Sequence, residues 1–287
     1  MRFYLPALFN HLFLIFALLE IGILLDWREL FDFFRKPGLL FSVLIVNLGL
    51  IPLLGWGLAQ LFGLSGDFKA GILLLAGVPG GMAALRYAKT VHQKLAFVAG
   101  LEFLLTFAAL FISPLLAALL FPREFHFRAQ TLELAAWMGG FIVLPLLLGA
   151  ALRRFLPQVA RHLIRPCFWL SSLGFLLVGI TSYALKRHAY RELGGEMLLA
   201  LLLLIVVSML LGWFSLPRGS DLWERRIAAM SSSSRNIGMG LLVIHHFYQK
   251  SNVDMVIVAF MGLLIPVNLL FFFFHRFRER HKKLETA

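Results

Sequence analysis

Arg235 stands near the middle of a long apolar stretch, directly after four serines, Ser231, Ser232, Ser233 and Ser234, and before Asn236-Ile237-Gly238. A guanidinium keeps its charge and offers a rigid fork of donors, while serine is a mediocre helix former that competes for backbone bonds. This pattern predicts that the helix unwinds at Ser231 to Ser234. The half-helix beyond would then present free N–H groups and its positive end in mid-span. Pro79-Gly80-Gly81 predicts a matching break in an earlier stretch, because proline removes a donor and glycine loosens the backbone. Two broken helices that cross would supply two dipole ends, several hydroxyls and one fixed positive charge. That set suits a small anion.

Other charges in mid-span carry the same kind of information, since a charge at the bilayer centre costs about 2.5 to 3.5 kcal/mol on insertion scales and so marks a pathway. Glu102 falls inside its span with Thr106 one turn later on the same helical face. Glu20, near Asp26, also reads as a hydrated carboxylate, and Arg86 as a side chain that snorkels to the surface beside Lys89. These two rank below Glu102, as does Asn268. Asn47 reads as an amide bonding between helices without binding anything. A serine hydrolase with His245 or His246 as base is disfavoured, because 11 residues separate the nearest pair and span roughly 16 Å along one helix. Cys167, the lone cysteine, can form neither an internal disulfide nor a metal cluster, and no glycine-rich phosphate loop appears. No enzymatic role, metal or cofactor is expected.

The elements that position these residues are legible from composition. The chain is 60% hydrophobic, with a mean hydropathy of +0.84, far above a soluble domain. Apolar runs near 4–25, 38–62, 68–91, 95–121, 130–152, 162–184, 194–214, 222–248 and 253–275 predict about nine transmembrane helices in an all-α polytopic protein. They form one domain over 1–275, followed by a basic tail at 276–287. The net charge of +12 could suit nucleic acid, but the basic residues lie between spans. Arg35, Lys36, Lys89, Lys94, Arg153, Arg154 and the tail fall on one side and outnumber those on the other, such as Arg2, Arg123, Arg128 and Lys250. This excess predicts a cytoplasmic (inner) membrane protein with its N-terminus outside, its C-terminus inside and its tail against anionic lipid.

Landmarks recur along the chain. Leu53-Leu54-Gly55-Trp56, Ser65-Gly66-Asp67, Pro79-Gly80-Gly81 and Pro114 answer to Leu210-Leu211-Gly212-Trp213, Gly219-Ser220-Asp221, Ser231 to Arg235 and Pro266, about 150 to 157 residues later. Five spans separate equivalent points, so the copies, about 1–121 and about 130–275, must insert with opposite polarity. Inverted repeats with a broken helix in each build a midplane binding site.

Gly71 to Ala83, containing Pro79-Gly80-Gly81, resembles the fourth-helix signature of the bile acid:sodium symporter family. Arg226 to Gly238 is similar to that family's second crossing helix, and Ala17 to Phe31 to the segment before its first basic loop. The resemblance implies a core domain and a panel domain, and sodium-coupled uptake of organic anions by alternating access. Several positions depart from the pattern. Ala84-Leu85 stand where the family usually has Ser-Asn, Ser231 where it has Glu, Arg235 where it has Gln, and Val98 and Glu102 where hydroxyl ligands are expected. Sodium sites of the usual kind are therefore expected to be lost, with the Arg235 guanidinium replacing the bound cation and Glu102 as its partner or as a proton carrier. Protonation of Glu102 would then control whether Arg235 is free to hold an anionic substrate. The expected function is a symporter-like secondary transporter of a small organic anion; the other reading is a non-transporting receptor or scaffold with a degenerate carrier fold.

Overall fold

The computed structural model describes the backbone of residues 5–34, 37–90, 95–120, 139–247 and 252–285, and their side chains except those of residues 29, 32–34, 112–120, 189, 246–247 and 276–285. Arg2, Arg35, Lys36, Lys94, Arg123, Arg128, Lys250 and the start of the expected 130–152 span lie outside the described residues, as do the side chains of His246 and the basic tail. The chain is an all-helical, multi-pass membrane protein, with no strand among the described residues.

In chain order the helices are α1 Leu5–Leu24, α2 Trp27–Phe34, α3 Pro37–Ile45, α4 Ile51–Leu61, α5 Gly66–Gly77, α6 Ala83–Thr90, α7 Leu95–Leu120, α8 Leu144–Phe155, α9 Pro157–Lys186, α10 Gly195–Ser215, α11 Leu222–Ser233, α12 Ile237–Phe247 and α13 Val253–Glu285. Five segments are long and apolar enough to cross a bilayer: Leu5–Leu24, Pro37–Leu61, Pro157–Lys186, Gly195–Ser215 and Val253–His275. Leu95–Phe111 is a shorter apolar stretch within α7. A widened π-turn, Val46–Leu50, joins α3 to α4 just before Pro52, and another, Gly139–Val143, leads into α8 just before Pro145. Both have one cause: a proline ring clashes with the carbonyl four residues back, and the extra residue in the turn relieves it.

Small residues set the closest helix approaches. Gly22 of α1 and Gly149 of α8 bring the two backbones together, with no room for a Cβ on either, and Gly174 of α9 lies against Phe13 of α1. On the other side of the molecule Gly212 of α10 meets Ala228 and Ser232 of α11, and Gly71 of α5 meets Val256 of α13. Lipid tails are as apolar as the helices, so close backbone packing of this kind holds membrane helices together.

Two of the expected spans are interrupted. α5 ends at Gly77 and α6 begins at Ala83; α11 ends at Ser233 and α12 begins at Ile237. The second break differs from the expectation, for Ser231, Ser232 and Ser233 are helical and the chain leaves the helix at Ser234, which is extended at φ −78° and ψ 131°. The serine hydroxyls explain the shift. Ser233 Oγ and Ser234 Oγ both donate back to the Met230 carbonyl, at 3.1 and 2.6 Å, satisfying their polarity without unwinding the turn.

Candidate functional site

The two interruptions meet. Pro79 and Arg235 pair as an antiparallel bridge, and the Asn236 N–H donates to the Val78 carbonyl at 2.9 Å. Gly80, at φ +84°, makes the turn, and a Cβ there would lie 3.2 Å from Thr106 Oγ1 and 3.4 Å from Glu102 Oε2. A Cβ on Gly81 would lie 2.6 Å from Ser234 Cβ. Gly81 is thus required by space, and Gly80 by its left-handed backbone.

Arg235 is buried to 2% exposure at this crossing. Its Nε donates to the Leu75 carbonyl at 3.0 Å and its Nη2 to the Ala76 carbonyl at 2.6 Å, while Nη1 reaches Asn47 Oδ1 at 3.0 Å and the Ser232 carbonyl at 3.4 Å. Leu75 and Ala76 belong to the last turn of α5, and Ser232 to the last turn of α11. These carbonyls lie at helix ends, where they carry the negative end of each dipole, and Leu75 also accepts a long bond from the Val78 N–H at 3.4 Å. A single guanidinium therefore neutralises two converging helix C-termini.

Glu102 does the converse. Its Oε2 accepts from the Gly81 N–H at 2.8 Å, just ahead of the α6 N-terminus, and its Oε1 accepts from Ser231 Oγ at 2.7 Å. The expected pairing of Glu102 with Arg235 is not what joins them: the carboxylate is taken up by Gly81 and Ser231, and the guanidinium by carbonyls. Asn236 caps α12, its Oδ1 accepting from the Met239 N–H at 3.1 Å. The crossing thus matches each helix end with a side chain of suitable charge.

The remaining candidates divide. Ser232 Oγ accepts from Asn47 Nδ2 at 3.0 Å, and Ser233 Oγ donates to Asn268 Oδ1 at 3.3 Å, so both serve helix packing around the crossing. Thr106, Ser234 and Asn268 line a cavity of about 430 Å³ beside the crossing, together with Gly81, Glu102 and Asn236. Arg86 also lines that cavity, and Glu20 stands beside it. Glu20 is fully buried and pairs with Lys89, and Arg86 Nη2 stands 3.6 Å from Glu20 Oε2. The hydrated reading of Glu20 is therefore corrected: a neighbouring helix screens it from water and supplies its counter-charge.

Asn47 belongs to the site although its sequence context reads as plain packing. A lone amide in an apolar span was the available signal. Its partner Arg235 lies 188 positions away, and no spacing rule connects them.

Half-helices meeting inside an all-helical membrane protein, beside a cavity, define a protein of the membrane transporter class. The chain belongs to the Sodium Bile acid symporter family, whose model matches residues 11–191. It is similar to the probable sodium/metabolite cotransporter BASS1, chloroplastic, of Arabidopsis thaliana, at 24% identity over 235 residues covering 80% of this chain and 58% of the relative. It is also similar to the probable sodium/metabolite cotransporter BASS2, chloroplastic, of Oryza sativa subsp. japonica, at 21% identity over 259 residues covering 88% of this chain and 61% of the relative. The chain thus spans about three fifths of the length of these curated relatives.

Proposed function

We propose that this protein is a secondary carrier that moves a small organic anion across a cell membrane by alternating access, and that Arg235 takes over the ordering role of a bound cation at the crossing. The observation that carries this reading is the ligand set of the guanidinium. Four oxygens from α5, α11 and the Asn47 side chain converge on it, and such a ring of carbonyl and amide oxygens is what a hard cation seeks. With a tethered cation in place, the usual two-sodium mechanism is not used, and transport is facilitative or proton-linked.

The exchange at Glu102 supports the same reading. Where the family resemblance leads one to expect Glu at 231 and a hydroxyl at 102, this chain has the hydroxyl at 231 and the carboxylate at 102, and the two are hydrogen bonded at 2.7 Å. The negative group is kept and supplied from the other side. In the full arrangement, nine spans form two inverted repeats, the N-terminus lies outside, and the crossing stays with one rigid bundle while another rocks against it.

Uptake into proteoliposomes tests the reading. A panel of radiolabelled organic acids should include at least one whose flux in the wild type is the same in sodium and in choline buffers, and Arg235→Ala should abolish that flux. Strict sodium dependence in the wild type would refute the tethered-cation mechanism; no flux of any acid would refute the carrier.

A further inference from the structure

Arg235 and Glu102 are consumed by the helix ends, so neither is free to grip cargo, yet the cavity holds another guanidinium. Arg86 of α6 lines it, with a quarter of its side chain accessible. Its Nη2 donates to Ser171 Oγ at 2.7 Å, its Cζ stacks 4.0 Å from the centre of the Phe168 ring, and its buried Nη1 has no hydrogen-bond partner. Glu20 does not neutralise it fully. That carboxylate is the bonded partner of Lys89, and stands 3.6 Å from Arg86.

Counting formal charges, one carboxylate faces two cations, and the cluster is left with a surplus of one positive charge. Buried charge without a counter-ion is costly. The rest of the lining is mostly apolar, with Phe13, Leu14, Phe175, Leu264 and Phe272 forming the wall. A volume of about 430 Å³ falls within the range of small-molecule sites, roughly 300 to 1,000 Å³.

We infer that Arg86 is the receptor for the cargo's charged head, and that the cargo is an amphipathic monoanion, its oxyanion on the Arg86 guanidinium and its apolar body along the aromatic wall. The inference rests on the carrier reading above and deepens it. The bound oxyanion meets the accessible part of the Arg86 side chain and brings the cluster to neutrality. Ser171 and Phe168 hold the fork flat and in place, which is the preorganisation that arginine offers and lysine does not. A dianion would overshoot the surplus, and a neutral analogue would leave it standing, so selectivity for single charge follows from the charge count.

The test uses purified full-length protein in lipid nanodiscs, with n-alkyl carboxylates from hexanoate to dodecanoate, the primary amides of the same chains, and α,ω-dicarboxylates. Wild type should bind at least one monocarboxylate more tightly than its amide and its dicarboxylate. Arg86→Met should weaken that monocarboxylate about 10- to 100-fold, as expected for a hydrogen bond to a charged group, and leave amide binding unchanged. Glu20→Gln, which removes the competing carboxylate, should tighten the monocarboxylate several-fold. Monocarboxylate affinity indifferent to Arg86→Met, or acid and amide weakened equally, overturns the assignment while leaving the carrier intact. Should Arg86→Met fail to fold, Glu20→Gln decides alone, and unchanged or weaker binding overturns it. Wild type that binds no member of the series overturns both this assignment and the anion carrier on which it rests.

Discussion

At the scale of the residue, Arg235 is held by main-chain oxygens at helix ends. Removing its side chain takes the guanidinium from the buried Ala76 carbonyl and leaves Leu75 only a long 3.4 Å bond from the Val78 N–H, at a cost of about 1 to 3 kcal/mol for a group left unsatisfied. Arg235→Ala should therefore lower the apparent Tm in detergent markedly. It should also open the oxygen ring to small cations, so that added sodium raises the Tm of the variant and not that of the wild type; no sodium effect on either would count against the cation-like role. Glu102→Gln keeps one acceptor, for the Gly81 N–H, and can donate its amide to Ser231 Oγ, so it should cost far less stability than Glu102→Ala in the same thermal assay. The prominence of Arg235 was plain in the sequence, since a charge amid serines in an apolar run has few bland explanations. The sequence reading gave the guanidinium two tasks, replacing a bound cation and holding the substrate. Its acceptors were not legible, since Leu75 and Ala76 lie some 160 positions away.

At the scale of the element, the two interrupted helices depend on local chemistry that single substitutions can probe. Gly80→Ala places a Cβ at φ +84° and 3.2 Å from Thr106 Oγ1, which should destabilise by about 1 to 3 kcal/mol. Asn236→Ala removes the cap of α12 and should cost about 1 kcal/mol, read as a shift in thermal unfolding. The break at Pro79-Gly80-Gly81 was legible because proline and glycine act through their own backbone. The second break falls at Ser234, the last position of the expected run, and was not legible to the residue, since serine leaves the choice between unwinding and back-bonding to its surroundings. Here the Met230 carbonyl settles it.

At the scale of the whole molecule, two buried ion pairs tie the helices together at opposite ends. α1 and α9 run antiparallel: Phe13 faces Gly174, while further along, Glu20 pairs with Lys89 and Arg86 beside Phe168. Lys186, at the far end of α9, pairs with Asp254 of α13 at 2.7 Å. On the alternating-access mechanism we propose, rocking requires these ties to open in turn. Lys186→Met should loosen the end near Leu5 and raise the labelling rate of a cysteine placed at Phe175 by a membrane-impermeant maleimide applied from that side; an unchanged rate would show that the pair does not restrain opening. The apolar runs already marked, in the sequence, the five segments long and apolar enough to cross a bilayer. The bonds between the ends were hidden there, because they join residues 68 and 69 positions apart through space alone.

A cation covalently bound to the chain cannot be released at journey's end. If transport is facilitative rather than proton-linked, as one branch of the proposal has it, a carrier whose crossing is pinned by Arg235 moves its cargo's negative charge unescorted, and so answers to voltage. Against an interior-negative potential of about 100 mV, each inbound monoanion works uphill by about 2.3 kcal/mol, a bias of about 50-fold toward efflux.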